Sequence, residues 1–140
     1  MKYLSISVLF LLPFPLLAVD EASKKEIIQR CKRQMSEYGA AMVKSCVDQD
    51  FAAWKKVSAY KESHQEISIR CLDQMREYGF AMTESCIKQD IDALGELNAI
   101  SSEYKSIVER CQNQMKSYGY SMIYSCAKQD IEAEEALKKY

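Results

Sequence analysis

Apolar residues in this chain recur at intervals of three and four, and charged residues fill the gaps. Ile27, Cys31, Met35, Tyr38, Met42 and Cys46 trace one face of a 3.6-residue helix, and Val47, Phe51 and Trp54 start a second run of the same spacing. No stretch alternates with the period of two that a half-buried strand requires. The block around this stripe returns twice at an offset of 40 residues. Its copies run from Arg30 to Asp50, Arg70 to Asp90 and Arg110 to Asp130, each reading R-C-x2-Q-M-x2-Y-G-x2-M-x2-S-C-x2-Q-D. A fixed period of this size marks a repeat architecture. Helix starts are legible as well. Ser23-x-x-Glu26 and Ser63-x-x-Glu66 are capping boxes before apolar periodic runs, and predict helices opening near residues 24 and 64. The third copy lacks the box, so Ser101 or Ser102 is expected to cap a helix opening near residue 103.

The connectivity turns on Tyr38-Gly39, Tyr78-Gly79 and Tyr118-Gly119. The pattern C-x3-M-x6-M-x3-C is palindromic about these pairs. A chain reversal there sets Cys opposite Cys and Met opposite Met, with glycine in the left-handed position that ends a helix. The alternative is a continuous helix through each block, giving one long three-helix bundle. Cys31 and Cys46 would then lie ~22 Å apart, far beyond the roughly 7 Å that a disulfide tolerates between Cα atoms. The palindrome favours the hairpin. The fold class is therefore all-α, as three tandem helical-hairpin units of residues 19–62, 63–102 and 103–140, each closed by one disulfide.

The first 18 residues change the reading of the cysteines. Lys2 precedes an apolar stretch from Tyr3 to Ala18, interrupted by Pro13 and Pro15 and followed by Asp20-Glu21. This is the pattern of a secretory signal peptide cleaved after Ala18, and it is shorter than a membrane-spanning helix. The expected compartment is periplasmic or extracellular. Six cysteines, an even number, in an exported chain predict a disulfide framework. Units that are copies should pair their cysteines alike. An odd number of units makes cross-unit schemes awkward, so the expected bonds are Cys31–Cys46, Cys71–Cys86 and Cys111–Cys126. The mature chain holds no proline, and its balance of 18 basic and 20 acidic side chains predicts neither a nucleic-acid footprint nor a polybasic membrane surface.

Sulfur dominates the candidate chemistry. Cys31 and Met35 share a helix face, as do Met42 and Cys46. Cys71, Met75, Met82 and Cys86, and then Cys111, Met115, Met122 and Cys126, repeat the quartet. Cystines flanked by methionines filling a small helical core are the first reading, with no cofactor. Reduced quartets of two thiolates and two thioethers would suit Cu(I), and make the alternative a periplasmic copper-binding protein. Among the polar residues, Arg30 with Asp50, Arg70 with Asp90 and Arg110 with Asp130 flank each cysteine pair, and are expected to form ion pairs or helix-capping contacts at the open end of each hairpin. Tyr38, Tyr78 and Tyr118 are expected over the turns. The positions that differ between copies, such as Lys32-Arg33, Leu72-Asp73 and Gln112-Asn113, look like exposed skin.

Catalysis finds little support. His64 is the single histidine, there is no C-x-x-C or zinc spacing, and glycine-rich phosphate loops are absent. Three near-equal copies present surfaces more readily than one asymmetric active site. The units resemble helical hairpins held by cystines in coiled-coil-helix proteins, which carry two cysteine pairs per hairpin where this chain has one. They are also similar to Sel1-like repeats, whose period and glycine pattern differ. These resemblances are architectural and transfer no functional residue. The function expected from the sequence is a non-enzymatic structural or protein-interaction module with an unidentified protein partner.

Overall fold

A computed structural model describes residues 20–140; the segment read as a signal peptide, residues 1–18, lies outside them. Six α-helices form three antiparallel pairs: α1 (Glu21–Met35) with α2 (Ala40–Ser63), α3 (Gln65–Met75) with α4 (Phe80–Ala99), and α5 (Lys105–Met115) with α6 (Tyr120–Leu137). Within each pair the reversal is a single 3-10 turn, Ser36–Tyr38, Arg76–Tyr78 or Lys116–Tyr118, followed by a glycine. The hairpin is thus the observed connectivity, and the long bundle is not. Cys31–Cys46, Cys71–Cys86 and Cys111–Cys126 are bonded within their units, with Cα atoms 5.7, 5.7 and 5.8 Å apart. Three cystines fit an oxidising, extracytoplasmic compartment. No helix among the described residues is long and apolar enough to cross a membrane.

The glycines do more than end a helix. Gly39, Gly79 and Gly119 have φ of +95°, +113° and +102° with ψ near 170°, an extended positive-φ conformation that side-chain-bearing residues avoid. Each glycine therefore belongs to the start of the second helix rather than to a left-handed C-terminal cap on the first. The local reason is the 3-10 turn, which tightens the chain before the glycine and leaves the reversal to one residue.

The caps differ from those expected. Asp20 caps α1, accepting the Ser23 N–H at 2.8 Å, so this helix begins at Glu21. Asp20 is the better acceptor for a first turn because its carboxylate also answers the helix dipole. Ser63 is the last residue of α2, and His64 alone separates α2 from α3. Between α4 and α5 lie Ile100, Ser101 and the 3-10 turn Ser102–Tyr104; Ser101 gives no side-chain cap. The helical run that includes Val47, Phe51 and Trp54 continues through Ser63, which makes α2 24 residues long.

That extension carries the core. The second helices pack side by side, α2 on α4 and α4 on α6, while each first helix leans on its own partner. One apolar cluster joins units 1 and 2 through Ile27, Trp54, Val57, Ile67, Phe80 and Ile87, with the Cys31 and Cys71 sulfurs inside it. A smaller one gathers Ile107, Cys111, Ile123 and Ala127 in unit 3. Full burial of each large side chain contributes about 1.5–3 kcal/mol. The contacts that hold the array together therefore run between units as much as within them.

Candidate functional site

The repeated Arg and Asp of each unit meet, and in units 1 and 2 the carboxylate also reaches into the next unit. Arg30 pairs with Asp50 in a buried ion pair. Asp50 in turn accepts the Phe80 and Ala81 N–H groups, both at 3.1 Å, at the first turn of α4. Asp90 pairs with Arg70 and accepts the Tyr120 and Ser121 N–H groups at 2.9 and 3.0 Å, at the first turn of α6. Each carboxylate so satisfies orphan amides of a helix that follows it by 30 residues. The glycine makes this approach possible. A Cβ on Gly79 would stand 3.0–3.1 Å from the Asp50 carboxylate and Arg30, and one on Gly119 2.5–2.6 Å from Arg70 and Asp90. Arg110 and Asp130 also pair, but among the described residues Asp130 accepts no amide of another unit, and this pair is half exposed. Burial lowers the proton affinity of the Arg30 guanidinium from its ordinary value.

Beside each of the two junctions lies a cleft, and the two clefts are copies. Gln34, Met35, Met42, Ser45, Gln49 and the Cys46 sulfur line the first, closed by Tyr78 and Ala81 of the next unit, with a volume of about 190 Å³. Gln74, Met75, Met82, Ser85, Gln89 and Cys86 line the second, closed by Tyr118 and Ser121, at about 200 Å³. Their walls are braced by polar contacts. Gln49 Nε2 donates to Ser45 Oγ at 3.4 Å and Gln89 Nε2 to Ser85 Oγ at 3.3 Å. At the second cleft Arg70 donates to Gln74 Oε1 at 2.7 Å and to the Tyr118 carbonyl at 3.3 Å. Such a volume holds a side chain; small-molecule sites usually exceed about 300 Å³.

The methionines divide by position. Met35, Met75 and Met115 are half-buried, whereas Met42, Met82 and Met122 are 45–49% exposed. Tyr38, Tyr78 and Tyr118 are 58–65% exposed. In units 1 and 2 both methionines of the proposed copper quartet line one cleft with the second cysteine, but in every unit the two cysteine sulfurs are already joined as cystine. Cys111, Cys126 and Asp130 also come within 4.8 Å of one another. Two of those three ligands are cystine sulfurs, which lack the thiolate charge that metal binding uses.

Two features were not legible in the sequence. The residues that vary between copies are not free skin throughout: Thr83 and Ile123 are buried and Leu72 is half-buried against the preceding unit. A cavity of about 540 Å³ lies on the junction of units 2 and 3, lined by Ile67, Ile69, Tyr120 and Ile123 together with Glu66, Asp73 and Lys116. At the first junction Phe80 is buried and the Arg76–Glu26 ion pair bridges the corresponding positions. Comparison of the chain with protein families, curated proteins and solved structures finds no match.

Proposed function

We propose that this is an exported, non-catalytic protein-interaction module whose repeated Gln–Tyr–Met face binds an extended polypeptide. One observation carries the reading. Gln34, Tyr38, Met42 and Gln49 are exposed, and are identical to their counterparts 40 and 80 residues on. Recent duplication does not explain this identity. Other exposed positions have diverged freely, as in Arg33, Asp73 and Asn113, or Asp48, Lys88 and Lys128. Folding does not explain it either. The cysteines form cystines, the glycines supply positive φ, and Arg and Asp build the junctions, but the exposed tyrosine and methionine side chains are spare. Tyrosine and methionine are enriched where proteins meet, and methionine adapts to varied side chains. Two equivalent clefts, each sized for a side chain, suit a chain that inserts one residue per unit. The experiment is selection of a displayed random-peptide library against the oxidised protein. Enriched peptides should carry recurrent apolar anchors, and should lose at least about tenfold in affinity when Met42 and Met82 are both replaced by Gln, with the melting temperature unchanged. Peptides indifferent to that double substitution would refute the face as the binding surface.

A second reading belongs to the reduced chain, and rests on Met35, Met42 and Cys46 lining one cleft. With the cystines opened, soft thiolates and thioethers of one unit would stand together for Cu(I). Anaerobic titration of the reduced protein against a competing Cu(I) chelator decides it. About three equivalents are expected, one per unit, and none withdrawn from the chelator sinks the reading.

A further inference from the structure

The two ends of the array are the two halves of the junction that is repeated inside it. In the first junction, unit 1 receives unit 2 on Ile27, Arg30, Asp50, Ala53, Trp54 and Val57, all of them buried. The residues 80 positions later, Ile107, Arg110, Asp130, Ala133, Glu134 and Leu137, line a concave end on unit 3 that no other described residue covers. At the other end, unit 2 docks through Leu72, Phe80, Thr83 and Glu84. Their counterparts 40 positions earlier, Lys32, Ala40, Val43 and Lys44, line a face of unit 1 that no described residue covers. The helix behind that face, α2, has no side-chain cap, while α4 and α6 are capped by Asp50 and Asp90. Asp130 is the corresponding carboxylate on the opposite end.

We propose that the acidic end of unit 3 receives the basic face of unit 1 of a second copy of this chain, so that molecules associate head to tail through the same junction that joins their units.

Two observations select a second copy as the occupant. The first is continuity: the receiving and docking surfaces extend an interface already built twice in the fold. The second is charge. Inside the array the position of Trp54 meets the apolar neighbourhood that includes Leu72. Between copies the same positions are Glu134 and Lys32, so an apolar contact is exchanged for opposite charges. Lys44 and Arg33 add further positive charge to the docking face, where units 2 and 3 carry Glu84 or Tyr124 and Asp73 or Asn113. The exchange gives a weaker, salt-sensitive contact suited to reversible association. The partner molecule would also place its Tyr38 beside Gln114 and Met122, completing on unit 3 a cleft of the kind seen at the two junctions.

A head-to-tail contact is heterologous, and can grow into filaments unless it closes into a ring. The experiment blocks one end at a time in the oxidised full chain. Val43→Glu closes the docking face and Ala133→Glu the receiving end; Lys44→Glu and Glu134→Lys are gentler versions for use should either fail to keep the wild-type melting temperature. By sedimentation velocity from about 1 μM to about 1 mM, the weight-average mass of the wild type should rise more than twofold, and less so in high salt. Each blocked variant alone should remain monomeric, and an equimolar mixture of the two should form a dimer and go no further. A wild type that stays monomeric across the range, a blocked variant that dimerises by itself, or a mixture that stays monomeric overturns the proposal.

Discussion

At the scale of single residues, three identical Arg–Asp pairs hold two different situations. Asp50 and Asp90 are buried, and each carries two amides of the next unit besides its arginine. Asp130 is half exposed and carries only Arg110. Replacing one partner of a buried pair leaves an uncompensated charge, a loss of about 3–5 kcal/mol, whereas an exposed pair is worth about 0–1 kcal/mol. Asp90→Ala should therefore lower the free energy of urea unfolding by several kcal/mol, and Asp130→Ala by less than about 1. Equal losses would mean that the carboxylates serve their own hairpins and not their neighbours. The identity of these residues was plain in the sequence, and so was their pairing. A capping contact was also expected, but the helix it serves was hidden, because the amides these carboxylates accept lie 30 residues downstream in the next unit. The same holds for Gly79 and Gly119. Their backbone role was legible from the turn, but the arginine and carboxylate pressed against them come from another unit.

At the scale of the element, the palindrome of cysteine and methionine was enough to choose the hairpin over the rod. It succeeded because a disulfide is a distance constraint, and only a reversal meets it. Helix ends were less legible. Ser63 reads as a cap in sequence yet finishes a helix, since tertiary packing of α2 on α4 extends that helix through Trp54 and Val57 to His64. Buried apolar area outweighs a local capping preference of about 1 kcal/mol. The cystine contributes on the same scale. Closing 15 residues of separation removes about 3 kcal/mol of loop entropy from the unfolded chain. Cys71→Ala with Cys86→Ala is expected to shift the unfolding free energy by about that amount while far-UV circular dichroism keeps its helical amplitude. The reason is that the central hairpin is also held by Asp50 on one side and Phe80 in the joint core. Loss of the helical signal in the double variant would show that the cystine, rather than the neighbouring units, makes the hairpin.

At the scale of the whole molecule, stability in an array resides in unit interfaces, and these interfaces are not alike. The first junction carries two ion pairs beyond the repeated one: Arg76 with Glu26, and Lys56 with Glu84. The second has Lys116 and Tyr124 at the places of Arg76 and Glu84, and a larger cavity between its units. None of this could be read from the repeat, which displays what the units share and hides what distinguishes their contacts. It does permit a test of the first junction by pH. The Arg76 guanidinium, hydrogen-bonded to Glu26, holds this carboxyl below its usual value of 4.5. A carboxyl whose folded pKa is depressed stabilises the fold above its unfolded pKa, and the contribution is lost as pH falls through the folded one. Glu26→Gln should then be less stable than the wild type near neutrality by up to about 1 kcal/mol, a size suited to a partly exposed pair. The gap should close between about pH 4.5 and about pH 3, where the wild-type carboxyl takes up its proton. Other carboxylates titrate in both proteins and cancel in the difference, so the gap isolates the inter-unit pair. A gap that persists undiminished at pH 3 would assign the loss to packing of the Glu26 side chain and not to its charge.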